Sequence, residues 1–272
     1  MEIKNRVAVV TGAASGIGRA VCENLAGHEV KAIGMVDMSE DVTAVANLIN
    51  ESMSKKVAMP FRGDTTDPEF RRKVYDTLNR DHGTVSICVP CAGVTRDALA
   101  VKIDKETGKA IIYPEEKFQF VINVNLLAPI YWGMELVARI AEDRASKGLR
   151  QWQPQEHVQG TVIFIGSVSS QGNKGQISYA TTKAGLEGAA ATLTKEAIYH
   201  GVRCGVIHPG YTDTPMVRAL GEEFIKKNIL QYTQLGRLIS TEEIADAIRF
   251  MISNSAVSGE LWADAGWHPA PA

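Results

Sequence analysis

The chain has 272 residues, 45% hydrophobic and 22% charged, a composition that suits a globular core and excludes a largely disordered chain. Its 29 basic and 31 acidic residues leave a net charge of −2, without the basic surplus or stripe of a nucleic-acid binder. No uninterrupted apolar run reaches the roughly 18 residues of a membrane span. The opening Met1-Glu2-Ile3-Lys4-Asn5-Arg6 runs into a short apolar strand rather than a signal-peptide core, so a cytoplasmic protein with no membrane partner is expected.

In chain order, strand-like runs fall at residues 7–10, 32–36, 57–61, 85–89, 161–165 and 202–207, with a weaker one at 260–263. Several are apolar throughout, as parallel strands buried on both faces are. Helical patterns separate them. Asp67-Pro68 reads as the N-cap and first position of one helix, and Ser240-Thr241-Glu242-Glu243 as a capping box opening another. This order predicts an α/β fold: a single doubly wound parallel sheet with helices on both faces. The whole chain is read as one domain carrying two polar surface insertions, at 102–114 and 142–160. The tail from Trp267, which contains Pro269 and Pro271, cannot continue a helix or a central strand.

The glycine-rich stretch Thr11-Gly12-Ala13-Ala14-Ser15-Gly16-Ile17-Gly18 follows the first strand and opens a helix. A dinucleotide pyrophosphate sits best against the free N–H groups of a helix N-terminus, and side chains there would block it. Gly12, Ser15, Gly16, Ile17 and Gly18 are therefore candidate cofactor contacts. The second strand ends at Asp37, whose carboxylate can accept from ribose hydroxyls and would repel a 2′-phosphate. That favours NAD over NADP; the alternative is an Asp that only caps the next helix. Asp64 and Thr65 close the third strand at the same edge, where an adenine edge can be bonded.

Tyr179 and Lys183, four residues apart on a helical pattern, share a face. An ordinary phenol has a pKa of about 10, and a nearby ammonium favours its ionised form. Twelve residues earlier, Ser167 places a hydroxyl at the carboxyl end of the fifth strand. Four cysteines make no disulfide framework. Cys88-Val89-Pro90-Cys91 has redox spacing but ends a strand rather than opening a helix, and no second Cys/His pair completes a zinc site. The six histidines show no ligand spacing, so no metal is expected, and His208 beside Pro209 reads as structural.

Together these motifs resemble the short-chain dehydrogenase/reductase family over nearly the whole chain, with Cys91-Ala92-Gly93, Asn125 and Pro209-Gly210-Tyr211-Thr212-Asp213-Thr214 as further marks. The resemblance implies a Rossmann-like sheet and an oxidoreductase that interconverts a secondary alcohol and a ketone. It makes Tyr179 the general acid/base, with Ser167 orienting the carbonyl. Lys183 holds the nicotinamide ribose and lowers the Tyr179 pKa, and Asn125 helps hold a relay water. The stretch Cys91, Ala92, Gly93 and the residues Pro209, Gly210, Thr212 and Thr214 complete the cofactor wall. A homotetramer is implied too, through the helices around Asn125 and Tyr179 and through the last strand.

Within the family, Cys91-Ala92-Gly93-Val94-Thr95-Arg96-Asp97, Gly172-Asn173-Lys174-Gly175-Gln176 and Leu235-Gly236-Arg237-Leu238 resemble 3-oxoacyl-ACP and acetoacetyl-CoA reductases, which implies a 3-oxoacyl thioester such as an acyl-CoA. Those reductases generally use NADPH, against which Asp37 argues. Cys91 replaces an asparagine whose amide braces the sheet edge, and Ser169 is a weaker rival to Ser167. The 142–160 insertion is expected where an acyl carrier protein docks, which sets that partner in doubt. A lid is expected after Thr214 from Pro215, Met216, Val217, Leu220, Phe224 and Ile225, the same spacing also suiting a core helix. Arg218, Lys226 and Lys227 read as a solvated face or as contacts for a CoA phosphate. A dehydrogenase of sugar, steroid or cyclic alcohols, and a non-catalytic NAD-binding regulator, are the alternatives.

Overall fold

The seven expected strands all form. The computed structural model describes residues 1–267, so the tail prolines lie outside the described residues. Strands β1 (Val7–Thr11), β2 (Ala32–Asp37), β3 (Ala58–Arg62) and β4 (Val85–Pro90) are followed by a hairpin of β5 (Val101–Ile103) and β6 (Ala110–Ile112). Strands β7 (Gly160–Ile165), β8 (Val202–Pro209) and β9 (Gly259–Ala263) complete the set. The helices are α1 (Gly16–Gly27), α2 (Asp41–Ser52), α3 (Pro68–His82), α4 (Glu115–Ile122), α5 (Ala128–Ser146), α6 (Ile177–Ala197), α7 (Pro215–Arg218), α8 (Glu222–Asn228) and α9 (Thr241–Ser253).

The main sheet has the order β3-β2-β1-β4-β7-β8-β9, with every pair parallel. Alternate side chains of β1 supply two cores. Ala8 and Val10 pack with Val21, Leu25, Ile49, Ile244 and Ile248 of α1, α2 and α9. Val7 and Val9 face Tyr75, Leu78, Trp132, Leu136 and Leu186 of α3, α5 and α6. Each Leu or Ile so buried stabilises by roughly 2 kcal/mol. The chain leaves β1 toward β2 and β3, then returns to pair β4 on the other side of β1. The crevice between the carboxyl ends of β1 and β4 is thus a topological switch point, where such sheets bind ligands.

Both helix starts read from the sequence are present. Asp67 accepts from the Glu69 amide at 2.8 Å with Pro68 in the first turn, and Ser240 and Glu243 form a reciprocal capping box. The two insertions depart from expectation. Residues 101–112 are an antiparallel hairpin rather than a loop: Asp104 Oδ1 accepts from the amides of Glu106 and Thr107, and Gly108 takes a positive φ of 67° to close the turn. The hairpin base lies beside the sheet's carboxyl edge, where the Ala98 amide donates to the Gly175 carbonyl and Tyr113 bonds Ser178.

The 142–160 segment begins inside α5 and ends at the start of β7, at the opposite edge. There Arg144, almost fully buried, forks onto Glu156 at 2.5 and 3.1 Å, and the Trp152 amide donates to the Tyr199 carbonyl. The segment therefore lies away from the sheet's carboxyl edge, because a helix-to-strand connection in a parallel sheet returns to the amino edge.

A short π-helical turn, Asn123–Leu127, joins α4 to α5. The resulting helical unit, Glu115–Ser146, is long and apolar enough by length and composition to cross a bilayer, although charged and polar residues interrupt its apolar runs. In this fold it lays Trp132, Leu136 and Ile140 into the core.

Candidate active site

The carboxyl ends of β1 to β4 and of β7 open into a cavity of about 540 Å³. Its cofactor end is made of main chain. Gly12 has a φ of +66°, and a Cβ there would stand 2.8 Å from the Ala92 nitrogen. A Cβ at Gly18 would stand 2.2 Å from the Gly12 carbonyl oxygen, so neither position admits a larger residue without displacement. Ser15, at the N-cap of α1, makes no side-chain capping bond, which leaves the first-turn amides to an anion. Gly12, Ser15, Gly16, Ile17 and Gly18 all line the cavity.

Asp37 lines it as well, and its carboxylate accepts from the Ala14 amide at 3.0 Å and the Ser39 amide at 2.9 Å. It therefore ties the glycine turn to β2 rather than capping α2, whose start is held by Ser39 and Asp41. Asp64 accepts from the Thr66 amide and hydroxyl, each at 2.8 Å, and lines the cavity with Thr65. Opposite stand Cys91, Ala92 and Gly93. The bracing expected of an asparagine at Cys91 comes from Thr11, whose hydroxyl and carbonyl accept from the Ala92 and Cys91 amides, each at 3.1 Å. The only sequence sign of this was a threonine directly before the glycine turn. Burial pushes the Cys88 thiol up to about 12 and Cys91 upward too, the reverse of a redox thiol.

At the other end, Tyr179 and Lys183 project from successive turns of α6 into the cavity. Ser167 is buried at the end of β7. Its Oγ accepts from the Ser169 amide at 3.1 Å, and its hydroxyl acts on the Tyr179 phenol in the direction that favours ionisation. The Ser169 hydroxyl donates instead to Gln176, at 2.9 Å, which leaves Ser167 as the partner of Tyr179. Lys183 Nζ donates to the Ile165 carbonyl at 2.7 Å and lies 5.4 Å from the Tyr179 ring centre.

Burial pushes Tyr179 up to about 12; Asp97 and Tyr211 act in the same direction, and the Ser167 bond acts against them. Burial also brings Lys183 down to about 8. Desolvation is the largest of these influences on the phenol. At neutral pH the phenol is a protonated acid.

Asn125 lies in the π-helical turn and does not line the cavity. Its amide spans one residue, donating to the Val94 carbonyl at 2.8 Å and accepting from the Val94 amide at 2.9 Å. Pro209, Gly210 and Thr212 also stand back from the cavity and build its corner. A Cβ at Gly210 would meet the Asp264 carbonyl oxygen at 2.7 Å, and Thr212 donates to the Gly210 carbonyl. Thr214 does line the cavity, with its methyl packed toward Gly16.

Beyond it the expected lid divides. Pro215 and Met216 face the cavity, Ile225 is buried, and Leu220 and Phe224 remain exposed. Arg218 pairs with Asp213 at 2.5 Å. Met38, Phe120 and Asn123 also line the cavity, and no motif in the sequence marked them.

Glycines that admit no side chain, uncapped amides and a carboxylate at the next strand end fit a dinucleotide, and a partly buried Tyr179 with the buried Lys183 and Ser167 fits proton transfer at a carbonyl. Residues 6–224 match the family described as short chain dehydrogenase, and the chain belongs to that family. It is an oxidoreductase acting on CH–OH or keto groups with a nicotinamide cofactor.

Among particular relatives, it is 32% identical over 264 residues to the 3-oxoacyl-[acyl-carrier-protein] reductase FabG of Escherichia coli (strain K12), with 96% of each chain covered. The reductases of the same name from Vibrio harveyi and Thermotoga maritima are each 30% identical, over 263 and 264 residues and 96% of each chain.

Proposed function

We propose that this chain reduces a 3-oxoacyl thioester to the 3-hydroxyacyl thioester with NADH. The observation that carries the reading is the placing of Tyr179 and Lys183 at one end of a cavity whose other end is the glycine cradle, with Ser167 buried beside them at the end of β7. The nicotinamide cofactor, held by Gly12 to Gly18, Asp37, Asp64, Thr65, the Cys91–Gly93 wall and Thr214, supplies the hydride when bound. Ser167 donates to the substrate carbonyl and fixes its orientation. Tyr179 gives its phenolic proton to the same oxygen, a role its raised pKa suits in the reducing direction. Lys183 orients the ribose and keeps positive charge near the phenolate as it forms. Asn125 acts one step back, by clamping the Val94 backbone beside the cavity.

The preference for NADH rests on Asp37 and on the charge of the cavity, where Lys183 is the only Lys or Arg among the described lining residues. The thioester rests on the named relatives. The hairpin β5–β6, beside Ser178 and with Val101, Ile103 and Ile112 exposed, is the elaboration best placed to meet an acyl carrier. The apolar side chains Leu127, Tyr131 and Met134 left exposed on α5 and the turn before it support self-association as a tetramer.

NADH consumption with acetoacetyl-CoA and with acetoacetyl-ACP, run beside NADPH and a plain ketone, tests this. Turnover that needs both NADH and a thioester is expected. Activity with the plain ketone alone removes the substrate, and activity with NADPH alone removes the Asp37 assignment. Asp37→Asn should shift the ratio of kcat/KM values toward NADPH by about ten- to a hundredfold, the loss of one repulsive charge at close range.

A further inference from the structure

Three side chains from three elements converge behind Ser167, outside the cavity. Glu187 stands on α6, His208 on β8 and Glu260 on β9, and their ligand atoms all lie within 4.8 Å of one another. Sheet register brings this about. His208 pairs with Trp262 across β8 and β9, and Glu260, two residues earlier, shares the Trp262 face. The Trp262 ring stacks on the imidazole, with centres 4.1 Å apart and planes 12° apart, and fixes its orientation.

His208 is fully buried, yet its Nε2 has no hydrogen-bond partner among the described residues. A buried polar nitrogen in that condition calls for a physical reason. Nε2 is aimed at the two carboxylates, 3.4 Å from Glu260 Oε2 and 3.8 Å from Glu187 Oε1. A charge-assisted N–H···O bond would bring these atoms to about 2.7–2.9 Å. Ligands about 2.0–2.1 Å from one tetrahedral cation stand roughly 3.3–3.4 Å apart, which matches the Glu260 separation, and Glu187 would draw in by a few tenths of an ångström.

The other ring nitrogen is tied to the Ser167 main chain: Nδ1 accepts from the Ser167 amide N–H at 3.3 Å and lies 3.2 Å from the Ser167 carbonyl oxygen. With Nδ1 accepting, the proton sits on Nε2; a bound cation would take that proton's place, and Nδ1–H would then donate to the Ser167 carbonyl as in metal-bound histidines. The Glu187 and Glu260 side chains are 30% and 42% exposed, which gives an ion a way in.

We propose that Glu187, His208 and Glu260 form a site for one divalent transition-metal cation of the Zn²⁺ class, with solvent completing the shell. One imidazole and two carboxylates suit Zn²⁺ better than Mg²⁺ or Ca²⁺, which prefer all-oxygen sites. The cation joins α6, β8 and β9, and through Nδ1 it fixes the main chain of Ser167. None of the three residues lines the cavity, so the site is structural in reach and independent of which carbonyl is reduced.

The test uses the whole chain, stripped with chelator and then titrated with Zn²⁺ and, separately, with Co²⁺. One equivalent of Zn²⁺ should bind and raise Tm, and Co²⁺ should give the visible absorption of a four-coordinate ion. Glu187→Gln and Glu260→Gln, at partly exposed positions, should each weaken Zn²⁺ about tenfold or more and lose the Tm rise. Equal Zn²⁺ affinity and Tm rise in Glu260→Gln, or no uptake by the unaltered chain, overturns the proposal.

Discussion

At the glycine end of the cavity the wall is main chain, whereas at the Tyr179 end it is side chains delivered by separate elements. Gly12, Gly16 and Gly18 lie within one turn of sequence and act by what they lack, since an added Cβ would collide with neighbouring backbone at Gly12 and Gly18. Ser167, Tyr179 and Lys183 come from the end of β7 and the face of α6, and act through groups whose protonation burial has moved. On the proposed function, the first end recognises charge and shape with fixed dipoles and the second holds and releases a proton. A substitution should therefore report different losses at the two ends: binding at one, turnover at the other.

The largest effect should come from Tyr179→Phe. It removes the proton donor and leaves the ring in place, so kcat should fall by about 10²- to 10⁴-fold. NADH affinity, followed by fluorescence, should stay within a factor of about two, because the phenol is not part of the glycine cradle. A variant that loses cofactor binding as well would show that the two ends are not separable.

The converse is Gly18→Ala. The added methyl meets the Gly12 carbonyl oxygen at 2.2 Å, so the turn must shift. About 1–3 kcal/mol of stability should be lost, with at least a tenfold weakening of NADH, measured by denaturant titration and fluorescence. If kcat at saturating NADH falls as steeply as in Tyr179→Phe, the glycine end also serves turnover and the contrast fails.

The same contrast explains what could be read from the sequence. Strands buried on both faces, such as β1 and β8, are apolar throughout, and the glycine turn is contiguous, so both were legible. The hairpin β5–β6 was not: each strand has three residues, too few for an alternating pattern, and its turn reads as polar loop. The pairing of Asn125 with Val94 and of Thr11 with Ala92 depends on which strands become neighbours, which no local spacing encodes. Tyr179 and Lys183 were legible as candidates because their spacing on one helix face is local, and Ser167 because it ends an apolar strand. The rise that burial gives the Tyr179 pKa was not legible, because burial cannot be weighed before the packing is known. The meeting of Glu187, His208 and Glu260 has no local spacing in the sequence for the same topological reason.

The smallest effect concerns how each end is anchored. The glycine turn is held largely by neutral backbone, while the segment from Thr214 to Ser240 is pinned by two exposed carboxylates. Asp213 holds Arg218 at the start, and Glu243 forks onto Arg237 while closing the Ser240 capping box at the end. Hydrogen bonds from Arg218 and Arg237 hold both carboxyls below their ordinary range, Glu243 at about 2. A depressed folded pKa means that the stabilisation is fully present above the unfolded value of about 4.3 and is lost as pH falls toward 2. Both pairs are solvent-screened, so each contributes little. Hydrogen-exchange protection of residues 214–240 should therefore decline between pH 5 and pH 3, while that of the β1–α1 turn holds. Glu243→Gln should show the lower protection already at pH 7 and flatten the change below pH 5. Equal loss at both ends on acidification would mean that the lid and the glycine turn open as one unit, coupled where Thr214 packs toward Gly16.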